Sequence, residues 1–530
     1  MHKTGVSWAI GKLMQVLGVV LLAPMAVAMY DVRHLEFSEM IAAPDVLGFG
    51  VAILLAIVVG TVVVVYSRDG KYLQGVKEGY AIVALGWLSL SFVGAIPLWI
   101  WMMAQTGAPG LEATITDAYF EIMSGFSTTG ATIFSDVESL PRSLLLLRSL
   151  THWLGGMGII TLAIVIFPAM GVSGYQMFRG EVPGPTKDRL QPRLAQTAQI
   201  LWGVYLLFTA VETVLLYAGG MTIFDAVCHT FATMATGGFS TRNASIAAYQ
   251  SDFIEWVVII FMYLAGVNFV LHFHALRGRT KLMTQNSEFR FYNGIIILSI
   301  VTISAVLYFQ GPAPADAASE SYRYDQPSTV EFAEHYQDEQ TRLDGLYNCF
   351  RVASFQTLAI VTTTGFATAD FDLWPDFLRI LLVLLMFCGG CAGSTGGGIK
   401  MIRIMVVAKV GLRELRKLSQ PRLVAPVKVG GRALDDQRII NIVSFSILFI
   451  GLFVIISAAM MLFVPDMLTA ISCSIATLGN IGPGLAGVGA VENYGWIPLP
   501  GKWILIFSML LGRLEIFTVL IVLRPAVWRK

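Results

Sequence analysis

The sequence predicts an all-α integral membrane protein in which four similar units follow two leading transmembrane helices. Hydrophobic residues make up 55% of the 530 residues and charged residues only 13%, whereas about 25% charged residues is usual in a soluble protein. The hydrophobic residues form runs close to the ~20 residues that cross a bilayer core of about 30 Å. A cluster rich in threonine and glycine recurs four times between these runs.

This composition excludes several other classes of protein. The charge is too low to coat several soluble domains, and the apolar content is too high for a disordered chain. Five cysteines are too few for a disulfide-rich secreted scaffold. A net charge of +1 provides no overall basic field for binding nucleic acid.

The apolar runs are helical in pattern and do not alternate as the strands of a membrane barrel do. Ten candidate spans follow along the chain: Trp8–Tyr30, Val46–Tyr66, Ala81–Met103, Leu144–Phe167, Ile200–Tyr217, Phe253–Phe273, Ile295–Phe309, Leu378–Met405, Ile439–Val464 and Trp503–Leu523. A cleaved signal peptide is an alternative for the first run, because it ends near Ala26–Val27–Ala28. The next span follows soon afterwards, which favours a retained helix.

The basic residues predict the orientation of these spans, because loops that carry lysine and arginine stay on the cytoplasmic side. Basic residues follow the second, fourth, sixth and eighth spans and end the chain, whereas the segment Gly311–Leu346 is acidic. Both termini are therefore predicted to be cytoplasmic, and the acidic segment is predicted to lie outside.

Each threonine- and glycine-rich cluster follows a short amphipathic segment that cannot cross a membrane. The predicted short helices are Thr114–Gly125, Ile223–Met234, Gly345–Ile360 and Asp466–Thr477. The last glycines of the clusters recur at intervals of about 110–130 residues, which is the signature of an internal repeat. A single cluster could be an ordinary turn, but four clusters in the same place indicate a shared design.

Non-helical backbone at membrane depth must be buried in protein or line a water-filled cavity. Four such loops around one axis can form rings of carbonyl oxygens, which replace the hydration shell of a monovalent cation. Each short helix ends at its loop, so its C-terminal partial negative charge also favours a cation. The candidate ligands are the carbonyls of three layers, namely Thr129, Gly237, Thr364 and Ile481, then Thr128, Thr236, Thr363 and Asn480, then Ser127, Ala235, Thr362 and Gly479, together with the glycines Gly130, Gly238, Gly365 and Gly482.

At these clusters the chain resembles the superfamily of K⁺ transporters that includes the bacterial Trk and Ktr proteins and the plant HKT proteins. Its two extra N-terminal spans are most similar to the Trk-H/Trk-G branch. The resemblance implies four M1–P–M2 units (helix, pore helix, helix) around one pore, with K⁺ bound at the first two layers. It also implies K⁺ uptake by a homodimer in the bacterial inner membrane, regulated by a cytoplasmic nucleotide-binding ring of the Trk-A type.

The resemblance implies that this chain is not an enzyme and carries no cofactor of its own, since the nucleotide belongs to the regulatory partner. The expected partners are K⁺ as the transported ion, the regulatory ring and membrane lipid. Binding to nucleic acid is not expected. Glycine at all four aligned positions favours K⁺ over Na⁺, because in plant relatives a serine at the first position accompanies Na⁺ permeation. The fourth cluster, Gly479–Pro483, departs most from the pattern, so a filter of unequal quarters is expected.

The repeats predict the domain boundaries. Residues 1–72 hold the two leading helices, 73–180 the first repeat and 190–285 the second. Residues 286–410 hold the third repeat with its acidic insert, and residues 430–530 hold the fourth.

The eighth apolar run contains a glycine-rich stretch that should interrupt its helix. The family resemblance implies an intramembrane gating loop here, built from Gly389, Gly390, Gly393, Ser394, Thr395, Gly396, Gly397 and Gly398. Close helix packing by small residues is the alternative. Cys388 and Cys391 form a C-x-x-C, which we interpret as small packing residues because no partner pair for a metal or redox site is present.

Arg513 lies within the last span, where a charge is costly and indicates a function. The resemblance implies that it projects into the pore beneath the filter and acts with the gating loop, and a salt bridge with Glu515 is the alternative. Lys400 is predicted to snorkel towards the cytoplasmic interface.

A secondary transporter and an intramembrane enzyme are the alternatives to K⁺ transport. A secondary transporter for Na⁺ or a small solute would have broken helices in two halves of opposite topology, which the four parallel repeats disfavour. His152, His229, His272 and His274 could suggest an intramembrane metalloenzyme, which the absence of an H-E-x-x-H motif disfavours. No Walker A motif occurs either, so nucleotide hydrolysis is absent or lies on another chain.

Overall fold

The computed structural model describes residues 1–72, 76–106, 111–158, 194–311, 343–422 and 425–528, and it is predominantly helical. The helices are α1 (Lys3–Val20), α2 (Leu22–Asp31), α3 (Phe37–Ala42), α4 (Pro44–Tyr66), α5 (Val76–Thr106), α6 (Leu111–Phe126), α7 (Arg142–Gly156), α8 (Leu194–Ala218), α9 (Ile223–Ala235), α10 (Asp252–Ala265), α11 (Phe269–Leu276), α12 (Thr280–Thr284), α13 (Ser287–Gln310), α14 (Leu346–Val361), α15 (Asp376–Met386), α16 (Met401–Ser419), α17 (Asp436–Met460), α18 (Met467–Leu478), α19 (Leu499–Arg513), α20 (Ile516–Leu523) and α21 (Pro525–Trp528).

Short elements complete this part of the chain. The 3₁₀ turns are Arg68–Tyr72, Ser245–Tyr249, Phe371–Leu373 and Ala486–Val488. The strands β1 (Lys428–Val429) and β2 (Arg432–Ala433) pair antiparallel. Gly430 and Gly431 make the turn between them with φ of 56° and 79°, a conformation that glycine adopts at no steric cost.

Six helices of the described residues are long and apolar enough to cross a membrane, and the number rises to eight if each of two bent pairs is one span. The bent pairs are α10 with α11, at 105°, and α19 with α20, at 117°. Large apolar side chains such as Ile447, Ile450 and Val454 of α17 are exposed. An outer surface of this kind is stable against lipid rather than water.

Three of the ten predicted spans are not straight single helices, and one other is only partly described. The fourth span, Leu144–Phe167, extends past the described residues, which stop at 158 and resume at 194. The eighth, Leu378–Met405, is divided into α15, an irregular stretch and α16. The sixth and the tenth each bend sharply, and Glu515 takes a φ of 54° at the second bend.

The leading helices α1 and α4 pack closely against each other through glycine. A Cβ on Gly11 would lie 2.8 Å from the carbonyl oxygen of Gly60, and a Cβ on Gly60 would lie equally close to Gly11. Small residues at a helix contact let two backbones approach within a membrane.

The predicted acidic insert falls mostly at 312–342, outside the described residues.

Four short helices occur within a few residues of their predicted bounds, namely α6, α9, α14 and α18. Their glycine-side halves are almost wholly buried. Two begin at side-chain caps that satisfy a free backbone amide. Thr222 accepts from the Asp225 amide at 3.1 Å, and Asp466 accepts from the Thr469 amide at 2.8 Å. The sequence thus starts each of these two helices with a local signal and ends it at a glycine cluster.

Candidate ion-binding ring and the loop beneath it

The four glycine clusters share one backbone conformation. Two positions of each cluster have positive φ: the last glycine and the residue two places before it. At the glycines φ is 80°, 82°, 78° and 96° for Gly130, Gly238, Gly365 and Gly482, and at the earlier position it is 52°, 56°, 60° and 55° for Thr128, Thr236, Thr363 and Asn480. A left-handed conformation costs a residue with a side chain roughly 1–2 kcal/mol, so the surroundings must impose it.

The clusters form a closed ring in chain order. Each glycine faces the carbonyl oxygen of the residue just before the glycine of the next cluster. A Cβ at Gly482 would lie 2.5 Å from the Thr129 oxygen, and the other three positions are tighter still. The facing pairs are Gly130 with Gly237, Gly238 with Thr364, Gly365 with Ile481, and Gly482 with Thr129. No residue with a side chain fits at these four places without displacing the neighbouring backbone.

The structure brings all sixteen predicted site residues into this ring and the helix ends below it. Each cluster is tied to its own short helix by the same backbone hydrogen bond, from the amide just before the glycine to a carbonyl five residues earlier. The donors are Thr129 (2.9 Å), Gly237 (2.8 Å), Thr364 (2.8 Å) and Ile481 (2.8 Å), bonding Ser124, Ala232, Ala359 and Ala476. The helices α6, α9, α14 and α18 therefore direct their C-terminal ends at the ring, where they favour a cation.

A polar side chain near the middle of each short helix holds the outer part of its own cluster. Glu121 accepts from the Ile133 amide at 2.9 Å, and a ring nitrogen of His229 lies 2.9 Å from the Ser240 hydroxyl. The Gln356 amide oxygen accepts from the Thr368 amide at 2.8 Å, and Ser472 accepts from the Leu485 amide at 2.5 Å. The sequence analysis assigned this supporting role to none of the four positions. Their signal is a polar residue nine or ten places before each glycine.

Charged and polar contacts also join neighbouring clusters. The buried Arg148 guanidinium on α7 pairs with Glu121 at 2.7 Å and donates to the Ser240 carbonyl at 3.1 Å. The side-chain Nδ2 of Asn480 donates to the Thr129 hydroxyl at 3.0 Å. Tyr494 donates its hydroxyl to the Gly482 carbonyl at 2.7 Å. The ring is therefore supported from behind by side chains as well as by the helices.

A recess opens on the side of the ring formed by the segments that follow the glycines, and all four glycines line it. Its wall includes Arg242 and Asn243, which follow the second cluster in the chain.

A partly buried carboxylate lies nearby. Asp372 accepts from the Ala486 amide at 3.0 Å and from Arg379 at 3.3 Å. Burial, and next the adjacent Asp370 carboxylate, raise the pKa of Asp372 to about 7.

The glycine-rich stretch between α15 and α16 lies directly under the third and fourth clusters. The Gly397 amide donates to the Thr363 hydroxyl at 2.7 Å, and a Cβ on Gly397 would lie 2.5 Å from the Gly479 carbonyl. A Cβ on Gly396 would lie 2.8 Å from the Thr362 carbonyl. The same stretch contains the eight residues predicted for the gating loop, including Gly389, Gly390, Gly393, Ser394 and Gly398.

This intramembrane loop is also fixed at its sides. The Cys391 amide donates to the Gly266 carbonyl at 2.8 Å, and the Phe269 amide donates to the Gly393 carbonyl at 3.0 Å. Glu288 on α13 accepts from the Ala392 amide at 2.7 Å. The bend between α10 and α11 thus provides two of the bonding partners of the loop, and these bonds stabilise the bend. Cys388 and Cys391 are free cysteines.

Arg513 at the end of α19 bonds to backbone carbonyls rather than to Glu515. It donates to Thr395 of the intramembrane loop at 2.7 Å and to Gly156 at the end of α7 at 2.9 Å. Glu515 pairs instead with Arg403 at 2.8 Å. Arg513 therefore joins the loop to the end of α7 beneath the ring.

The predicted snorkelling of Lys400 is wrong. Its side chain is buried, at 5% exposure, and its ammonium group donates to the Gly396 carbonyl of the loop. The reason is local: Lys400 stands just before α16, so its flexible stem folds back over the loop that precedes it. A buried ammonium that bonds a loop carbonyl helps to fix that loop.

The fold and the ring together define a polytopic helical membrane transport protein. The chain belongs to the TrkH family, described as cation transport proteins, whose family model matches residues 49–300 and 343–530. This confirms the resemblance inferred from the glycine clusters.

Several relatives are similar over most of their length. The Trk system potassium uptake protein TrkH of Salmonella typhimurium is 38% identical over 478 residues, which are 90% of this chain and 91% of the relative. TrkH of Vibrio parahaemolyticus is 37% identical over 524 residues, 98% of each chain. TrkG of Escherichia coli is 33% identical over 86% of each chain. The crystal structure of the potassium transporter TrkH from Vibrio parahaemolyticus matches with a TM-score of 0.80 and 34% identity, covering 100% of both chains.

Proposed function

We propose that this protein is the K⁺-translocating subunit of a bacterial Trk-type K⁺ uptake system. Four M1–P–M2 repeats surround one pore, and α1 and α4 precede them as two leading transmembrane helices. The observation that carries the proposal is the closed ring in which four glycines face four carbonyls in chain order. Relatives named as Trk potassium uptake proteins support K⁺ as the cargo.

The filter binds K⁺ through backbone carbonyls arranged in layers. Thr129, Gly237, Thr364 and Ile481 form the first layer, and Thr128, Thr236, Thr363 and Asn480 form the second. Ser127, Ala235, Thr362 and Gly479 lie below them, where the short helices end. Rings of carbonyls compensate a cation for its lost hydration shell, and the ends of α6, α9, α14 and α18 add a favourable partial negative charge.

The intramembrane loop and Arg513 form the gate below this filter. The contact of Gly397 with Thr363 puts the loop against the inner end of the third cluster. Arg513 puts a fixed positive charge at the same level, bonded to the Thr395 carbonyl. A cation leaving the filter meets both obstacles, so conduction requires the loop and Arg513 to move together.

The protein acts as a homodimer in the bacterial inner membrane with both termini in the cytoplasm. A cytoplasmic nucleotide-binding ring of the Trk-A type regulates it, and nucleotide binds to that ring rather than to this chain. The words "Trk system" in the names of its relatives support a multi-subunit assembly. The segment Val406–Arg438, basic and largely exposed, is the docking surface we propose for the ring.

A transporter that also passes Na⁺ is the second candidate. One observation favours it: the fourth quarter of the filter presents Asn480 and Ile481, where the first and third present threonine. Unequal quarters are expected to coordinate a cation less strictly than four identical ones.

A tracer flux assay in vesicles tests both candidates. Purified protein is reconstituted with and without the regulatory ring, and uptake of K⁺, Rb⁺ and Na⁺ is compared. We expect K⁺ and Rb⁺ uptake to exceed Na⁺ uptake and to respond to the ring. Equal uptake of K⁺ and Na⁺ would support the second candidate, and absence of any cation uptake would refute both.

A further inference from the structure

His152 on α7 lies between the first and second clusters at the level of the ring. It is completely buried. Its Nδ1 lies 2.9 Å from the Gly125 carbonyl at the end of α6, and its Nε2 accepts from the Phe239 amide at 3.3 Å. Because the Phe239 amide can only donate, Nε2 must be unprotonated and Nδ1 must carry the hydrogen. The imidazole is therefore neutral, with one fixed tautomer.

The imidazole also fills the space behind a filter residue. A Cβ on Gly237 would lie 2.5 Å from Cγ of His152, so the ring lies directly against the Gly237 backbone. The Gly237 carbonyl is the group that faces Gly130 in the closed ring. A flat, rigid side chain at this place limits how far the second glycine cluster can move away from the ring axis.

A second side chain of α7 supports the same strand one helical turn away. Arg148 lies over the Phe239 ring at 4.1 Å and donates to the Ser240 carbonyl at 3.1 Å. The second cluster is thus held from behind by the second transmembrane helix of the first repeat. His152 is the member of this contact that touches a proposed cation-binding layer.

We propose that His152 is a positioning residue that determines the discrimination of K⁺ from Na⁺. It does so by holding the second glycine cluster at its distance from the ring axis. The inference rests on the proposed function, because it assigns the origin of a selectivity that the function requires. It acts through Gly237 and Phe239 and needs no contact between His152 and the ion.

Three neutral substitutions separate the two hydrogen bonds of His152. The variant His152→Gln can place its amide oxygen near the Nε2 position and keep the bond from Phe239. The variant His152→Asn reaches only the Nδ1 position, so it keeps the bond to Gly125 and loses the bond from Phe239. The variant His152→Leu fills the space and makes neither bond.

The readout is the ratio of K⁺ to Na⁺ uptake in vesicles, because a loss of folded protein lowers both fluxes and leaves their ratio unchanged. We expect His152→Gln to retain most of the discrimination and His152→Asn, which loses one buried hydrogen bond, to lower it about tenfold. His152→Leu loses both bonds and should lower it at least as far. His272→Leu is the matched control. His272 is also buried and bonds the Leu264 carbonyl at 2.8 Å, and its ring contacts are Phe208 and Phe269.

The outcomes are distinguishable. If the unmodified protein takes up K⁺ and Na⁺ equally, the proposed selectivity fails. If it discriminates and both His152→Asn and His152→Leu keep its ratio, the positioning role is overturned, whatever the total uptake. Should the leucine variant not reach the membrane, the comparison of glutamine with asparagine decides, and equal native-like ratios in both would overturn the inference.

Discussion

At the residue scale, the ring depends on backbone conformations that side chains oppose. Thr363 holds a φ of 60°, and threonine branches at Cβ, which makes this conformation unfavourable. Strain of this kind persists only where the surroundings over-determine it. Here the backbone bond from the Thr363 amide to Ile360 at 3.0 Å and the loop contact from Gly397 supply that constraint.

Replacing Gly365 with serine should weaken ion discrimination. Its φ of 78° and the Ile481 carbonyl beside it leave no room for a Cβ. The third and fourth glycine clusters must therefore separate. We expect the K⁺ to Na⁺ uptake ratio to fall by about tenfold or more, as for loss of about 1.4 kcal/mol of differential binding. The control is Gly451→Ser, because a Cβ at Gly451 on α17 meets open space. An unchanged ratio in Gly365→Ser would count against the filter.

The buried pair Arg148–Glu121 gives a stability prediction. The two side chains are 2% and 0% exposed, and leaving one such charge unpaired costs about 3–5 kcal/mol. Arg148→Met alone should therefore lower the thermal unfolding temperature in detergent far more than the double variant Glu121→Leu with Arg148→Met. If Arg148→Met and the double variant melt at the same temperature, the carboxylate left behind in Arg148→Met carries no extra cost, which contradicts the prediction.

The sequence predicts the glycines of the ring but not the conformation of their neighbours. Gly130 and its equivalents are visible because glycine recurs at one aligned place. The positive φ of Thr128 or Asn480 has no local signal, since it arises from the carbonyls that surround the finished ring. The bonds of Glu121 to Ile133 and of His152 to Phe239 were likewise missed, because a lone buried polar residue has many structural uses.

At the element scale, three elements from distant parts of the chain meet at the intramembrane loop. The bend after α10, the end of α7 and the end of α19 all bond to the loop or to Arg513. The sequence predicts that the glycines break the eighth span, because consecutive glycines disfavour a helix. It cannot predict the bends of α10–α11 and α19–α20, because each bend is stabilised by partners far away in the chain.

Removing the guanidinium of Arg513 should open the gate. Arg513→Ala loses the bonds to Thr395 and Gly156 together with a positive charge, so we expect K⁺ leak to rise severalfold in vesicles without the regulatory ring. Arg513→Lys retains the charge but cannot span both carbonyls, and an intermediate leak is expected. Arg524→Ala removes an exposed arginine of the same terminal segment and should leave the leak unchanged. A leak equal to that of the unmodified protein in Arg513→Ala would remove its gating role.

At the scale of the whole molecule, the ring and the loop divide the protein into two sides. The recess lined by the four glycines opens on one side, and the loop leads into the basic helix α16 on the other. Arginine and lysine of α16 would be costly to translocate, so the basic side belongs in the cytoplasm. From the position of these charges we predict a direction for the proposed pore, in which cations enter from the recess and leave past the loop.

Cysteine labelling tests this direction. Ser135 borders the recess and Ser419 ends α16, and both are exposed. In spheroplasts a membrane-impermeant maleimide should label Ser135→Cys and should label Ser419→Cys only after permeabilisation. The unmodified chain sets the background, because four of its five cysteines are buried and Cys388 is partly buried. Labelling of Ser419→Cys alone would reverse the orientation and place the proposed gate on the outer side, where a cytoplasmic ring could not control it.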